Sequence, residues 1–265
     1  MTAAVLIGDV ILAFGIAAIG LLLYKQRQQL INLREHQKSL HEAIKRGRAH
    51  TTKTVDEIAR REFRQMEALL SLRDLLDLKA PLAPTRNWAA SPDLLLGLAQ
   101  LIEREQPRVI LECGGGTSTV VMASVVRKYG GRVITLEHLP EFRDATRAAL
   151  EAHGLDADVR LAPLTEIPDL TFNGERFRWY DPAALADLPE IDLFFIDGPP
   201  EATGRYARFP ALPLLWSRAS QQVSVVLDDT VREDEQAISD AWSETFDLAS
   251  EAWPLEKGAR VLRRR

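Results

Sequence analysis

Two groups of acidic residues stand where an α/β chain could use them for chemistry. In the first, the apolar run Arg108–Leu111 ends in Glu112, and Gly114, Gly115 and Gly116 follow before a stretch from Thr117 that reads as helix. Glycines at a strand-to-helix turn let a ligand approach the backbone, because no Cβ stands in the way. A dinucleotide turn would carry G-x-G-x-x-G, and Gly114–Thr119 lacks the last glycine. An acid inside the strand end also repels a pyrophosphate; it suits a ligand with a positive charge and an ammonium group. The next strand, Arg132–Leu136, ends in Glu137, whose carboxylate could hold a ribose diol. The second group is Asp197, after Ile191–Ile196, with Asp228 and Asp229, after Val223–Leu227. Carboxylates brought together this way repel one another unless a cation or a proton intervenes. Oxygen ligands without His or Cys favour Mg²⁺, Mn²⁺ or Ca²⁺ over zinc. Helix capping is the plainer role for the pair before Thr230–Val231.

The elements that must position these acids alternate as in an α/β domain. Helix is expected over 92–105, 117–128, 140–153, around 206–218 and over 231–243. Strands are expected over 108–112, 132–136, 158–161, 191–196, 223–227, 246–252 and 259–263, with a hairpin at 171–177 on the Asn173–Gly174 turn. Open α/β sheets bind ligands past the carboxyl ends of their strands, where all these acids fall.

With these residues in place, the chain resembles the class I S-adenosylmethionine-dependent methyltransferases, and within them the small-molecule O-methyltransferases of the catechol and macrocin type. In those enzymes an acid ends the fourth strand and an Asp-Asp or Asp-Asn pair ends the fifth, a pattern that Asp197, Asp228 and Asp229 match by position. The resemblance covers residue 90 to the C-terminus and implies a Rossmann-like doubly wound sheet with a C-terminal antiparallel strand pair. It also implies that Glu112 and the turn Gly114, Gly115, Gly116 and Ser118 hold the methionine part of S-adenosylmethionine. Glu137 would then hold the ribose, and Ala162 and Pro163 would border the adenine. Asp197 takes the catalytic place, and Asp197, Asp228 and Asp229 the place of a Mg²⁺ or other divalent cation. One departure matters: the lysine that serves as general base three residues after the fourth-strand acid is here Pro200, which cannot accept a proton. A base must be a carboxylate of the cluster, His138 or another group. Arg205, Tyr206, Arg208 and Arg232 are candidates for lining an acceptor pocket.

The rest of the chain divides at its composition. Residues 3–24 are apolar except for small residues and Asp9, long enough to cross a bilayer as a helix. Lys25, Arg27 and Arg34 follow it and no Lys or Arg precedes it, which predicts a single-pass inner-membrane anchor with the remainder in the cytoplasm. Residues 25–80 carry 13 Lys/Arg and 8 Asp/Glu, a net of +5; residues 81–265 carry 20 and 29, a net of −9. An acidic C-terminal domain excludes nucleic-acid binding by phosphate neutralisation. The basic stretch favours anionic headgroups. Leu30, Leu33, Gln37, Leu40 and Ile44 recur by 3 and 4, and the seam resumes at Val55, Ile58, Glu62, Gln65, Leu69, Leu72 and Leu76. That spacing predicts a coiled-coil stalk over 25–80, most simply a homodimer. Ala80–Pro84 breaks the helix and starts a third segment, 81–265. The single cysteine, Cys113, excludes an internal disulfide and reads as a small buried residue.

The expected function is a membrane-anchored S-adenosylmethionine-dependent methyltransferase acting on oxygen of a small molecule or glycan precursor. Two rivals are a coiled-coil scaffold with a degenerate methyltransferase-like domain and an NAD-binding oxidoreductase. Glu112 and the missing third glycine weigh against the latter.

Overall fold

The computed structural model describes the backbone of Thr2–Arg265 and the side chains of residues 8, 12 and 14–265. The chain falls into two compact units, Met1–Arg60 and Arg61–Arg265. Helix α1 (Thr2–Leu75) forms the first and contributes its last turns to the second. No proline interrupts it, and it ends at Leu75, five residues before Ala80–Pro81. Among the described residues no helix is long and apolar enough to cross a membrane. The expected span over 3–24 falls in part on residues 3–7, 9–11 and 13, Asp9 among them, which lie outside the described side chains.

The second unit begins at Arg61, earlier than the Pro81 boundary that composition suggested, because the end of α1 packs on the domain. Ala68, Leu72 and Leu76 are buried in the core with Leu94, Leu95 and Leu98 of α2 (Pro92–Glu105). Gln65 accepts a hydrogen bond from the Asp93 backbone N–H at 3.2 Å, at the start of α2. Arg86 clamps both sides, 2.5 Å from Glu62 and 2.6 Å from Glu256. The later part of the seam, expected to face a partner helix, is thus partly used by the chain's own domain; Leu69 stays exposed.

The sheet is built from β1 (Val109–Cys113), β2 (Arg132–Glu137), β3 (Asp158–Leu161), β6 (Ile191–Ile196), β7 (Ala219–Asp228), β8 (Leu248–Trp253) and β9 (Ala259–Arg264). Its order is β3-β2-β1-β6-β7-β9-β8, parallel through β7 and antiparallel at β9 and β8. Helices α3 (Thr117–Val126) and α4 (Pro140–His153) connect the parallel strands on one side, and α6 (Glu233–Thr245) follows β7. Strands β4 (Leu164–Phe172) and β5 (Glu175–Tyr180) make a separate hairpin. Asn173 (φ 51°) and Gly174 (φ 82°) form its left-handed turn, as the Asn-Gly pair requires. The central strands β1, β6 and β7 are buried almost throughout, which is why they read as apolar runs without alternation. The helix expected around 206–218 shrinks to α5 (Ala211–Leu215) and a 3₁₀ turn at Trp216–Arg218. Pro210 and Pro213 account for that: neither has an N–H to continue a helix upstream.

Candidate functional site

Strand order reverses between β1 and β6, and the acids gather at the carboxyl ends there. The two strand ends touch: Asp197 N–H donates to the Cys113 carbonyl at 3.0 Å. Gly114 (φ +92°) follows, and a Cβ there would lie 3.3 Å from the Asp197 carbonyl, so only glycine fits without strain. Gly116 (φ +154°) is different. A Cβ on it would meet nothing within 4 Å, leaving the turn open toward a ligand. Cys113 itself is fully buried, and burial pushes its thiol up, as a packing residue requires.

Glu112 is turned inward. Its Oε1 accepts from the Ser118 hydroxyl at 2.5 Å, and its Oε2 from Thr119 at 2.5 Å and Thr135 at 2.7 Å. Complete burial pushes its carboxyl up to about 7 against those three donors. Together with Ser118, Thr119 and Thr135, Glu112 thus ties the turn to β2. Glu137 is also buried, and its carboxylate is met by backbone donors. Oε2 accepts from Gly115 N–H at 3.0 Å, Oε1 from His138 N–H at 2.8 Å, and the His138 Nδ1 lies 2.9 Å away. Burial works to raise its pKa, but these bonds hold it below the ordinary carboxylate range. It reaches the turn as an anion with lone pairs to spare for a ligand. Ala162 packs behind it, its N–H bonded to the Glu137 carbonyl at 2.7 Å, while Pro163 is exposed.

On the other side of the switch point the carboxylate oxygens of Asp197, Asp228 and Asp229 lie within 4.8 Å of one another, as the sequence placed them. What residue spacing did not reveal is the cation among them. Arg208, only 3% exposed, sits 3.1 Å from Asp197 and 2.7 Å from Asp229, and also donates to the Asp228 carbonyl at 3.0 Å. Arg232 adds a bond to Asp229 at 2.9 Å, and Glu235 is a further buried acid 3.9 Å from Arg208. Asp228 is the exception. It is 1% exposed, and neither carboxylate oxygen has a hydrogen-bond partner among the described residues. Burial first, then the charges of Asp197 and Asp229, push its carboxyl well up; Asp197, 15% exposed at its side chain, is pushed up to about 6 by burial. Capping does not explain the pair, since α6 starts at Glu233 behind Arg232 and takes no side-chain cap from either acid.

The acceptor-pocket candidates separate accordingly. Arg208 belongs to the acid cluster, and Arg232 bridges Asp229 and Glu201. Arg205 is a surface residue paired with Asp234 at 2.9 Å. Tyr206 packs edge-on against Phe172 of the hairpin, and Phe172 stacks on Phe209 at 4.2 Å, so the hairpin is pinned beside the rim. The Tyr180 hydroxyl is buried without a partner among the described residues, against Gly198. The excess of buried acids over visible cations was the signal that could have singled out Arg208.

A parallel sheet with a glycine turn after β1, an acid ending β2 and open carboxyl ends at the switch point is a nucleoside-binding α/β architecture. A family model described as a methyltransferase domain matches residues 111–230. A second, for protein-L-isoaspartate (D-aspartate) O-methyltransferase, matches residues 26–165, a little over half of the chain. The chain belongs to the class I S-adenosylmethionine-dependent methyltransferases, whose cofactor is S-adenosylmethionine. No curated protein sequence matches it. Among solved structures it is similar to the O-methyltransferase from Bacillus cereus in complex with SAH, at 20% identity and TM-score 0.50 over 76% of this chain and 90% of that one. It is also similar to the SAH-bound Podospora anserina methyltransferase PaMTH1, at 17% identity and TM-score 0.50 over 76% and 87%. Both likenesses concern the fold. The NAD-binding and non-catalytic readings are not favoured by these matches.

Proposed function

We propose that the chain transfers a methyl group from S-adenosylmethionine to an oxygen of a small-molecule or glycan-precursor acceptor. The observation that carries this reading is the shared rim: an open glycine turn beside the anionic Glu137, and next to it Asp197, still partly exposed, at the switch point. The residues fit the cofactor. Glu137 holds the ribose hydroxyls, Gly114–Gly116 admit the cofactor to the backbone, Ala162 and Pro163 border the adenine, and Glu112 with Ser118 keeps the turn in shape. When bound, S-adenosylmethionine supplies a methyl group already activated on a sulfonium, so the chain has to align the acceptor and exclude water. Pro200 stands where a lysine base would be, and Asp197 is the carboxylate placed to take the acceptor's proton. A divalent cation at Asp197, Asp228 and Asp229 is part of the proposal: the donor set is all oxygen, and among the described residues neither oxygen of Asp228 has a partner. Such a cation would act as a Lewis acid on the acceptor hydroxyl, with Arg208 sharing Asp197 and Asp229.

The match to the protein isoaspartate enzymes ends at Thr165, before any of the three rim aspartates, and so does not argue for a protein acceptor. Membrane attachment also belongs to the proposal, as a single-pass inner-membrane anchor with the domain facing the cytoplasm. Phe14, Ile16, Ile19, Leu21, Leu22 and Leu23 support it, since they are exposed with no polar face among them. The test is methyl transfer from labelled S-adenosylmethionine by the purified full chain to a panel of hydroxylated acceptors. Asp197→Asn is expected to slow transfer about a hundredfold or more; transfer unchanged in that variant contradicts the role given to Asp197.

A further inference from the structure

The first compact unit carries a face that the proposed activity does not use. Leu30, Leu33, Leu40 and Ile44 line one side of α1 and are exposed, from 48% at Ile44 to 69% at Leu33. Gln37 interrupts them at the core position between Leu33 and Leu40. Placing Leu30 at a core position a and Leu33 at d fixes the flanks of the seam. The e positions are then Arg27, Arg34, His41 and Arg48, and the g positions Gln29, His36, Ala43 and His50. Not one flank residue is acidic. The acids of this stretch, Glu35 and Glu42, fall at f, on the side away from the seam.

Flank charges set partner choice in coiled coils, because e and g residues of one helix meet those of the other. In a parallel pair of identical copies Gln29 would face Arg34, His36 would face His41, and Ala43 would face Arg48. An antiparallel pair would bring basic flanks onto basic flanks. Neither arrangement forms an ion pair along the seam, and the second is repulsive. The homodimer that the heptad spacing suggested therefore lacks complementary flanks. An anionic bilayer surface would accept the arginines, but an interfacial helix presents a broad apolar face with bulky aromatics. Here the stripe is one residue wide, broken by Gln37, and residues 25–62 contain no Phe, Trp or Tyr.

We propose that this face of α1 docks a helix of another protein, one with an apolar heptad seam flanked by Glu and Asp. The pairing is a two-helix coiled coil in which Arg27, Arg34 and Arg48 meet the partner's flank carboxylates. A polar group opposite Gln37 would set the register.

Two synthetic helical peptides of about four heptads, with the same Leu/Ile seam and either Glu or Lys at every e and g position, test this on the detergent-solubilised full chain. Fluorescence anisotropy is expected to show the Glu peptide binding at least tenfold tighter than the Lys peptide, with the gap closing as salt is raised. In the triple variant Arg27→Glu/Arg34→Glu/Arg48→Glu the preference should reverse, with helicity by circular dichroism unchanged. Equal binding of the two peptides, no binding of the Glu peptide, or an unreversed preference overturns the proposal. So does a dimer of the chain alone that Leu33→Asp/Leu40→Asp dissolves. Binding of this face to phosphatidylglycerol vesicles in place of the Glu peptide, lost in the triple variant, would make the partner a membrane and equally overturn it.

Discussion

The β1–α3 turn and the β6–β7 rim lie side by side at one sheet edge, yet they treat their buried acids in opposite ways. At the turn, Glu112 accepts from three hydroxyl donors of the chain itself. At the rim, Arg208 satisfies Asp197 and Asp229, while neither oxygen of Asp228 has a hydrogen-bond partner among the described residues. A buried carboxylate without donors is costly unless a proton or a cation joins it. The turn is thus a finished scaffold, held in one shape before any ligand arrives. At the rim, burial and the neighbouring charges of Asp197 and Asp229 push the Asp228 carboxyl up toward its protonated form.

The largest effect is expected where the rim is held together. Arg208→Met should lower stability by about 3–5 kcal/mol, because it strands Asp197, Asp229 and Glu235 without their buried cation. Urea unfolding measures it, and a loss under about 1 kcal/mol would mean that the guanidinium is not what holds these acids. Next comes the turn. The Glu112 carboxyl is raised to about 7 in the folded chain, above its ordinary value near 4.5. The folded state therefore holds this proton more tightly than the unfolded one. The resulting stability is fully present below about pH 4.5 and is lost as pH rises through 7, a swing of about 3 kcal/mol. Comparing unfolding at pH 5 and pH 8, Glu112→Gln should remove most of that swing. An identical pH dependence in the two proteins would show that Glu112 is ionised freely in the fold, and the finished-scaffold view of the turn would fail.

The residues that mark strand ends were legible because their signals are local. Apolar runs gave β1, β2, β6 and β7, and the acids following them sit at one edge once the strands are parallel. The Asn173–Gly174 turn was legible for the same reason, though the hairpin is longer than expected. Arg208 was not, since its burial depends on four acids from β6, β7 and α6 converging on it, a matter of tertiary packing. The contacts of Glu112 were only partly legible on the same ground: its donors Ser118 and Thr119 are near in sequence, but Thr135 reaches it only through the pairing of β1 with β2. The seam of α1 shows the limit of periodicity. Spacing by 3 and 4 says that a face is apolar, not whether the chain's own core or another helix covers it, and Leu72 and Leu76 turned out to belong to the core.

The contrast sharpens with metal. If a divalent cation completes the rim, Mn²⁺ at about a hundred times its dissociation constant should stabilise the wild type by about 2.7 kcal/mol and leave Asp228→Asn unaffected. A wild type that shows no Mn²⁺-dependent shift in Tm would leave Asp228 carrying a proton, and any methyl transfer would then be independent of metal.

The central claim is that the turn and Glu137 together form the S-adenosylmethionine site, and titration calorimetry with S-adenosylhomocysteine tests it most directly. Wild type is expected to bind, and Glu137→Ala to lose about 1.5–3 kcal/mol, roughly ten- to a hundredfold in affinity, while remaining folded. A wild type that binds no S-adenosylhomocysteine, or a folded Glu137→Ala that binds it equally well, would contradict the account.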